Sequence, residues 1–415
     1  MKPLLNTGLA LLAAMSASAH AVTALDGYEL VEKGRYIATL GDCTACHTSP
    51  GKPLFSGGVA IETPFGELLG ANITPDPATG IGRWTFEDFQ NTMARGHGRN
   101  GKQLYPAMPY AAYTKVTRED NLALWAYLRT VEPVQNEVET NQLPFPFNVR
   151  LSMKAWNWLN FTEGEFEPDA EKSEQWNRGA YLVQGLGHCG SCHTPKNLIG
   201  GDRRDGTLKG GELQGWMAPN ISNTTHVGLA EWTEGDIVQY LKTGANRYDI
   251  ASGPMAEAVE KSTQYWRDAD LKAVAVYLKS LDHEHEKPEP LGANDPIMTA
   301  GRSLYEDRCS ACHTPDGEGI PTLFPKLANA PLVNARDACD KVARVTLEEN
   351  RIFHPKDVKV VRRQDSAERV GMLGLRVQHE RATHDVAVAR KHLGQTRHDH
   401  VGVWQDFHIH KVADR

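Results

Sequence analysis

The sequence predicts a mainly α-helical protein built from three tandem modules, and three observations carry that prediction. A Cys-x-x-Cys-His pentapeptide occurs three times, at Cys43–His47, Cys189–His193 and Cys309–His313. A similar helical stretch with an early glycine runs into each copy: Glu32 to Ala38 around Gly34, Asn177 to Val183 around Gly179, and Ala300 to Tyr305 around Gly301. The first two copies are closed far downstream by matching segments, Asn121–Leu128 and Asp270–Leu278, with apolar residues at helical spacing and an acidic residue at the start. A unit repeated in this way fixes the architecture before any single element does.

The pentapeptide is the haem c attachment signature. Two thiols one helical turn apart can each add to a vinyl group, while the adjoining histidine ligates the iron. Zinc fits poorly, because a zinc cage needs four ligands and no second Cys/His pair follows any copy at a regular spacing. A redox dithiol would sit near a βαβ pattern of apolar strands, which is absent around the copies. The motif therefore assigns Cys43, Cys46, Cys189, Cys192, Cys309 and Cys312 to covalent haem attachment and His47, His193 and His313 to the proximal iron positions.

Bulk properties agree with an exported carrier. At 415 residues the chain has room for about two to four domains, and its net charge of −7 implies no nucleic-acid partner. Seven cysteines leave Cys339 over after three haem pairs. Lys2, the short apolar run Leu9–Ala14 and the small residues at Ala19-His20-Ala21 read as a signal peptide cleaved after Ala21. No stretch approaches the roughly twenty apolar residues of a membrane-spanning helix. In bacteria haem c is attached outside the inner membrane, so compartment and motif agree.

In chain order, Gly34, Gly179 and Gly301 each cost helix propensity, which predicts close helix crossings where a side chain would not fit. The closing helices, with Tyr127 and Tyr277 in equivalent packing positions, are their expected partners. Between the two ends, Ala71-Asn72-Ile73-Thr74 matches Pro219-Asn220-Ile221-Ser222. Trp84 and Trp232 each precede an amphipathic helix, with packing favoured over a hydrogen bond to a haem propionate.

The distal ligand separates electron transfer from ligand binding or catalysis. Met108, in Tyr105-Pro106-Ala107-Met108-Pro109, and Met255, in Ser252-Gly253-Pro254-Met255, each follow their motif histidine by about sixty residues on proline-broken loops. A thioether there leaves the iron six-coordinate and raises its potential, as an electron carrier needs. Met93 falls inside a helical pattern and Met217 comes too soon after His193.

Two linkers divide the chain. Residues 140–170 hold Leu143, Phe145, Phe147, Met153, Trp156, Trp158, Leu159 and Phe161 among few charges. This segment reads as packing between the first two domains, or as an interfacial anchor or docking surface. The second, residues 284–296, is a charged, proline-rich spacer. The third module has its motif and a haem-covering loop, Pro321 to Ala328, but no methionine in register and no closing helix. Eight of the seventeen histidines fall after Lys341. A shifted reading frame explains the simultaneous loss of ligand, helix and ordinary composition, with a metal-binding or disordered extension as the alternatives.

Through Trp176 to Cys189 and Leu104 to Tyr110 above all, the chain resembles the three-haem cytochrome c subunit of bacterial membrane-bound dehydrogenases acting on alcohols, gluconate, sorbitol and fructose. The likeness covers roughly residues 25–335. It implies three tandem class I cytochrome c-like domains, 22–139, 171–283 and an incomplete 297–349, while the residues themselves set off the signal peptide 1–21 and an atypical tail 350–415. It also implies three covalent haem c groups, Met108 and Met255 as distal ligands, and a third methionine for which Met372 is not a convincing substitute. The implied partners are a dehydrogenase subunit carrying a flavin or pyrroloquinoline quinone, with room for a small third subunit, and ubiquinone at the periplasmic face of the inner membrane. The chain would have no substrate site of its own. Two other readings stay open: a haem c peroxidase using a five-coordinate third haem, and a free soluble electron shuttle.

Overall fold

A computed structural model describes residues 27–281 except 226, residues 291–330 except 293 and 322, and residue 333. The expected signal peptide, most of the second linker, Cys339, Met372 and the atypical tail lie outside the described residues.

In the first module α1 (Gly27–Leu40) leads into α2 (Cys43–His47), which carries the first pentapeptide. Strands β1 (Ala60–Thr63) and β2 (Gly66–Leu69) form an antiparallel hairpin with Ala60 opposite Leu69. There follow α3 (Phe86–Arg95), a two-rung ribbon of β3 (His97–Gly98) and β4 (Lys102–Gln103), α4 (Tyr110–Tyr113) and α5 (Arg118–Leu128). The aromatic segment contributes α6 (Ser152–Asn160). The second module repeats the plan with α7 (Glu174–Tyr181), α8 (Gly190–His193), the hairpin of β5 (Lys209–Leu213) and β6 (Trp216–Asn220), α9 (Glu234–Thr243), α10 (Gly253–Lys261) and α11 (Asp268–Lys279). Then come α12 (Pro296–Arg308) and α13 (Ser310–His313). The described residues fall into two units: residues 291–310 belong to one, and 27–281 with 311–333 to the other.

Local chemistry sets these boundaries. Thr85 and Thr233 each cap their helix by accepting from the backbone N–H three residues on, and Asp88 and Asp236 each accept in return from the cap's own N–H at 2.8 Å. Gly96 (φ 64°) and Gly244 (φ 77°) end α3 and α9 in the left-handed conformation that glycine tolerates. Trp84 and Trp232 pack at these helix starts, Trp232 stacked on Tyr248 at 5.5 Å. The hairpins were not expected, because strands of four or five residues are too short to show an alternation.

The first two glycine crossings are where the repeat predicts them. A Cβ on Gly34 would lie 1.9 Å from the Ala123 carbonyl oxygen in α5, and one on Gly179 would lie 2.0 Å from the Ala273 carbonyl oxygen in α11. Tyr127 and Tyr277 stand against the same glycines, each with its Cβ 2.8 Å from the hypothetical atom, and both are buried. The second module has one residue more between its glycine and first cysteine than the first module has. The structure absorbs it as a single π-helical turn, Leu182–Leu186, closed by Gly187 N–H donating to the Leu182 carbonyl at 2.7 Å.

One hydrophobic cluster runs through both modules, from Ile37, Leu40, Leu124 and Leu128 to Leu182, Leu186, Leu271 and Leu278. The aromatic segment is more than a linker. Its α6 buries Trp156, whose indole N–H donates to the Ile199 carbonyl at 2.8 Å, and leaves Trp158 exposed.

Candidate haem-attachment sites

Each pentapeptide sits on a short helix, and each motif histidine is fixed in the same way. His47 Nδ1 lies 2.7 Å from the Ala71 carbonyl oxygen, His193 Nδ1 2.7 Å from that of Pro219, and His313 Nδ1 2.8 Å from that of Pro325. A carbonyl only accepts, so Nδ1 carries the proton and the lone pair resides on Nε2, the nitrogen that faces a metal. Burial holds His47 and His193 below the ordinary imidazole pKa despite these carbonyls, which favours the neutral rings at pH 7.

The matched tetrapeptides explain how the carbonyls are presented. Buried Asn72 and Asn220 each fold the chain on themselves, accepting from the N–H two residues on at 3.0 and 2.8 Å. That turn aims the preceding carbonyl at the histidine. The third copy has Lys326 in the asparagine's place, and its N–H donates to the Tyr248 carbonyl at 3.1 Å. Backbone also approaches the motifs closely. A Cβ on Gly70 would lie 1.7 Å from the Cys46 carbonyl oxygen, and one on Gly211 would lie 2.4 Å from that of Cys192.

None of the six motif cysteines is paired in a disulfide. Burial pushes the thiol pKa up to about 12 at Cys43 and Cys189 and to about 11 at Cys46. Those three are therefore protonated thiols at neutral pH, the form that adds across a vinyl group. Among the described residues, no three His, Cys, Asp or Glu side chains converge as a metal cage requires. Paired thiols one turn apart, beside a neutral imidazole with its lone pair on Nε2, fit a covalent haem.

The first two sites are neighbours. Tyr113 donates its hydroxyl to the Gly41 carbonyl at 2.7 Å, two residues before Cys43, and its ring meets His188 edge-on at 5.6 Å, one residue before Cys189. Asp42 and His188 occupy the same position before their motifs, both with positive φ, 47° and 36°. Burial and then the Glu257 carboxylate raise the Asp42 pKa to about 7, and Asp42 acts electrostatically on both Cys46 and Cys192. Sequence reasoning missed this pair, since one position holds an acid and the other an imidazole.

Of the two candidate distal ligands, Met108 stands on the loop before α4, half-buried against the shared core, with its N–H on the Tyr105 carbonyl at 3.1 Å. Met255 is not on a proline-broken loop: it lies in the first turn of α10, where Pro254 starts the helix. Proline is tolerated there because a first-turn N–H has no partner within the helix. Helix α10 packs against α2, the helix of the first motif. Met93 is buried in α3, and Met217 lies in β6.

A second set of residues, also missed, crosses between the modules. Tyr36 in α1 donates to Asp270 at the start of α11 (2.6 Å) and accepts from the Arg267 N–H. Tyr181 in α7 donates to Asp120 at the start of α5 (2.6 Å) and accepts from the Thr117 N–H. Lys33 and Arg178, again equivalent, pair with Asp120 and Asp270 at 2.8 and 2.7 Å. The signal was available in the repeat: Tyr36 aligns with Tyr181, and each closing helix opens on an acid.

Comparison with known proteins gives a family model described as cytochrome c, which matches residues 31–132 and 298–368. The chain is 40% identical to the fructose dehydrogenase cytochrome subunit of Gluconobacter japonicus, over 76% of this chain and 70% of that protein. It is 38% identical to the gluconate 2-dehydrogenase cytochrome c subunit of Pantoea cypripedii, over 73% of each. It is also 41% identical to a nicotinate dehydrogenase subunit of Pseudomonas putida, over 77% of this chain and only 27% of that longer protein.

Proposed function

Because the chain belongs to the family of cytochrome c subunits of bacterial dehydrogenases, and so transfers electrons on covalent haem c, we propose that it carries three such haems and passes electrons from a dehydrogenase subunit to ubiquinone. The haems occupy three tandem cytochrome c-like domains, 22–139, 171–283 and 297–349. Cys43 and Cys46, Cys189 and Cys192, and Cys309 and Cys312 hold them, with His47, His193 and His313 as proximal ligands and Met108 and Met255 as distal ligands to the first two. The electron donor is a dehydrogenase subunit that carries a flavin or pyrroloquinoline quinone. The chain is exported and works at the periplasmic face of the inner membrane as a peripheral protein.

One observation carries this reading above all: in all three copies the motif histidine gives Nδ1 to a backbone carbonyl at 2.7–2.8 Å. Bound haem supplies one-electron iron chemistry. The chain's own residues fix the imidazoles, partly enclose the attachment thiols of the first two copies and, through Tyr113, hold the first two motifs together.

Haem content tests the reading. Pyridine haemochrome absorbance against protein concentration, with intact mass, should give three haems per chain, and two would remove the third site. With a flavin- or quinone-bearing dehydrogenase subunit added, substrate oxidation should reduce ubiquinone only when this chain is present. Quinone reduction without it would sink the proposed route.

A further inference from the structure

We propose that the apolar face around α6 is a lipid-docking surface that seats the chain on an anionic bilayer. The inference rests on the peripheral membrane placement proposed above and names the surface responsible for it.

Helix α6 is apolar on two sides. Inward, Trp156 is buried and Asn157 accepts from the Tyr110 hydroxyl at 2.6 Å. Outward, Leu151, Trp158 and Leu159 recur at the spacing of one helical face, with Trp158 84% exposed and Leu151 69% exposed. Large apolar side chains left on the outer side of a helix whose inner side is already packed call for a cover.

The stripe belongs to a larger patch. Phe147 packs against Phe65 at 5.2 Å, a Cβ on Gly200 would touch the same Phe65 ring at 3.1 Å, and the Trp156 indole ties α6 to Ile199. These contacts join α6 to Phe145, which is 81% exposed, and to Leu198, which is 99% exposed. Leu151, Trp158, Phe145 and Leu198, exposed to this degree on segments joined by these contacts, exceed what a soluble surface ordinarily shows.

Two features point to lipid as the occupant. Residues 140–162 contain no Asp or Glu, in a chain with 52 acidic and 45 basic residues overall, and Lys154 stands exposed in α6, while Arg150 is held inward over the Tyr105 ring. An acid-free stretch that presents an exposed cation suits anionic headgroups. Trp158, Phe145 and Leu198 also protrude as nearly free prongs, as side chains that enter the headgroup region do. Among the described residues, no helix is long and apolar enough to cross the membrane, so attachment through them is interfacial.

The test is flotation of the haem-loaded full chain with vesicles of equal parts phosphatidylglycerol and phosphatidylethanolamine. The wild type should float, and the double variant W158E/L198E should partition about tenfold less or weaker still, with haem content and visible spectrum unchanged. Equal partition of variant and wild type would overturn the proposal. So would loss of dehydrogenase-subunit co-purification in the variant with vesicle binding intact, which would make the face a protein contact. A wild type that ignores vesicles yet still carries electrons to quinone sinks the lipid surface alone. Vesicle binding that survives a haem count below three supports the surface while the three-haem reading falls.

Discussion

At the scale of single residues, the glycine crossings set the tightest constraint. The backbone oxygens of Ala123 and Ala273 occupy the space a methyl group would need. Overpacking against backbone costs about 1–3 kcal/mol and sometimes more. Gly34→Ala and Gly179→Ala should each fall at the top of that range, with urea unfolding of the haem-loaded chain as the measurement; a loss below about 0.5 kcal/mol would show that the helices can part freely. These glycines were legible because a helix breaker repeated in register has to serve a crossing. The histidine supports were not: Asn72 and Asn220 stood out as a match, but the carbonyl each turn presents reaches a histidine 24 or 26 residues away in sequence. Met255 was misplaced for a simpler reason. Proline stops a helix in its interior and starts one in its first turn, and sequence does not separate the two when the preceding residues are Ser-Gly.

At the scale of elements, the exchanged tyrosines fix how the two modules meet. Each hydroxyl leaves its own glycine-bearing helix to bond the acid that opens the other module's closing helix. Burial pushes the Asp270 carboxyl up, but hydrogen bonds from Arg178 and Tyr36 outweigh it and hold the pKa below the usual carboxylate value. A depressed folded-state pKa gives stability that is present above the unfolded value and lost as pH falls through the folded one. Stability should therefore decline below about pH 4. Tyr36→Phe should cost about 1.5–3 kcal/mol at neutral pH, as for a lost hydrogen bond to a charged group, and should shrink that acid decline. Thermal melts of both forms between neutral and acid pH are the check, and parallel curves would refute the coupling. The helices themselves were legible from periodicity and acidic starts. The π-helical turn was readable only as a one-residue mismatch between repeats, with no indication of where the extra residue would be absorbed.

At the scale of the whole molecule, three repeats were plain in the sequence, but the independence of the first two as domains was not a safe inference from repetition. One cluster joins Leu40 and Leu124 to Leu186 and Leu271, and the expected linker packs a helix of its own. The slowest-exchanging amides of α5 and α11 should share one opening free energy, and Gly34→Ala should lower both; protection lost in α5 alone would show two separable domains. Contact of residue i with j′ and of i′ with j is the pattern by which two identical subunits recognise each other in a homodimer. The Tyr36–Asp270 and Tyr181–Asp120 bonds make this single chain its own dimer. Partners tied into one polypeptide do not come apart on dilution, so the paired modules persist at concentrations where two separate copies would drift away from each other.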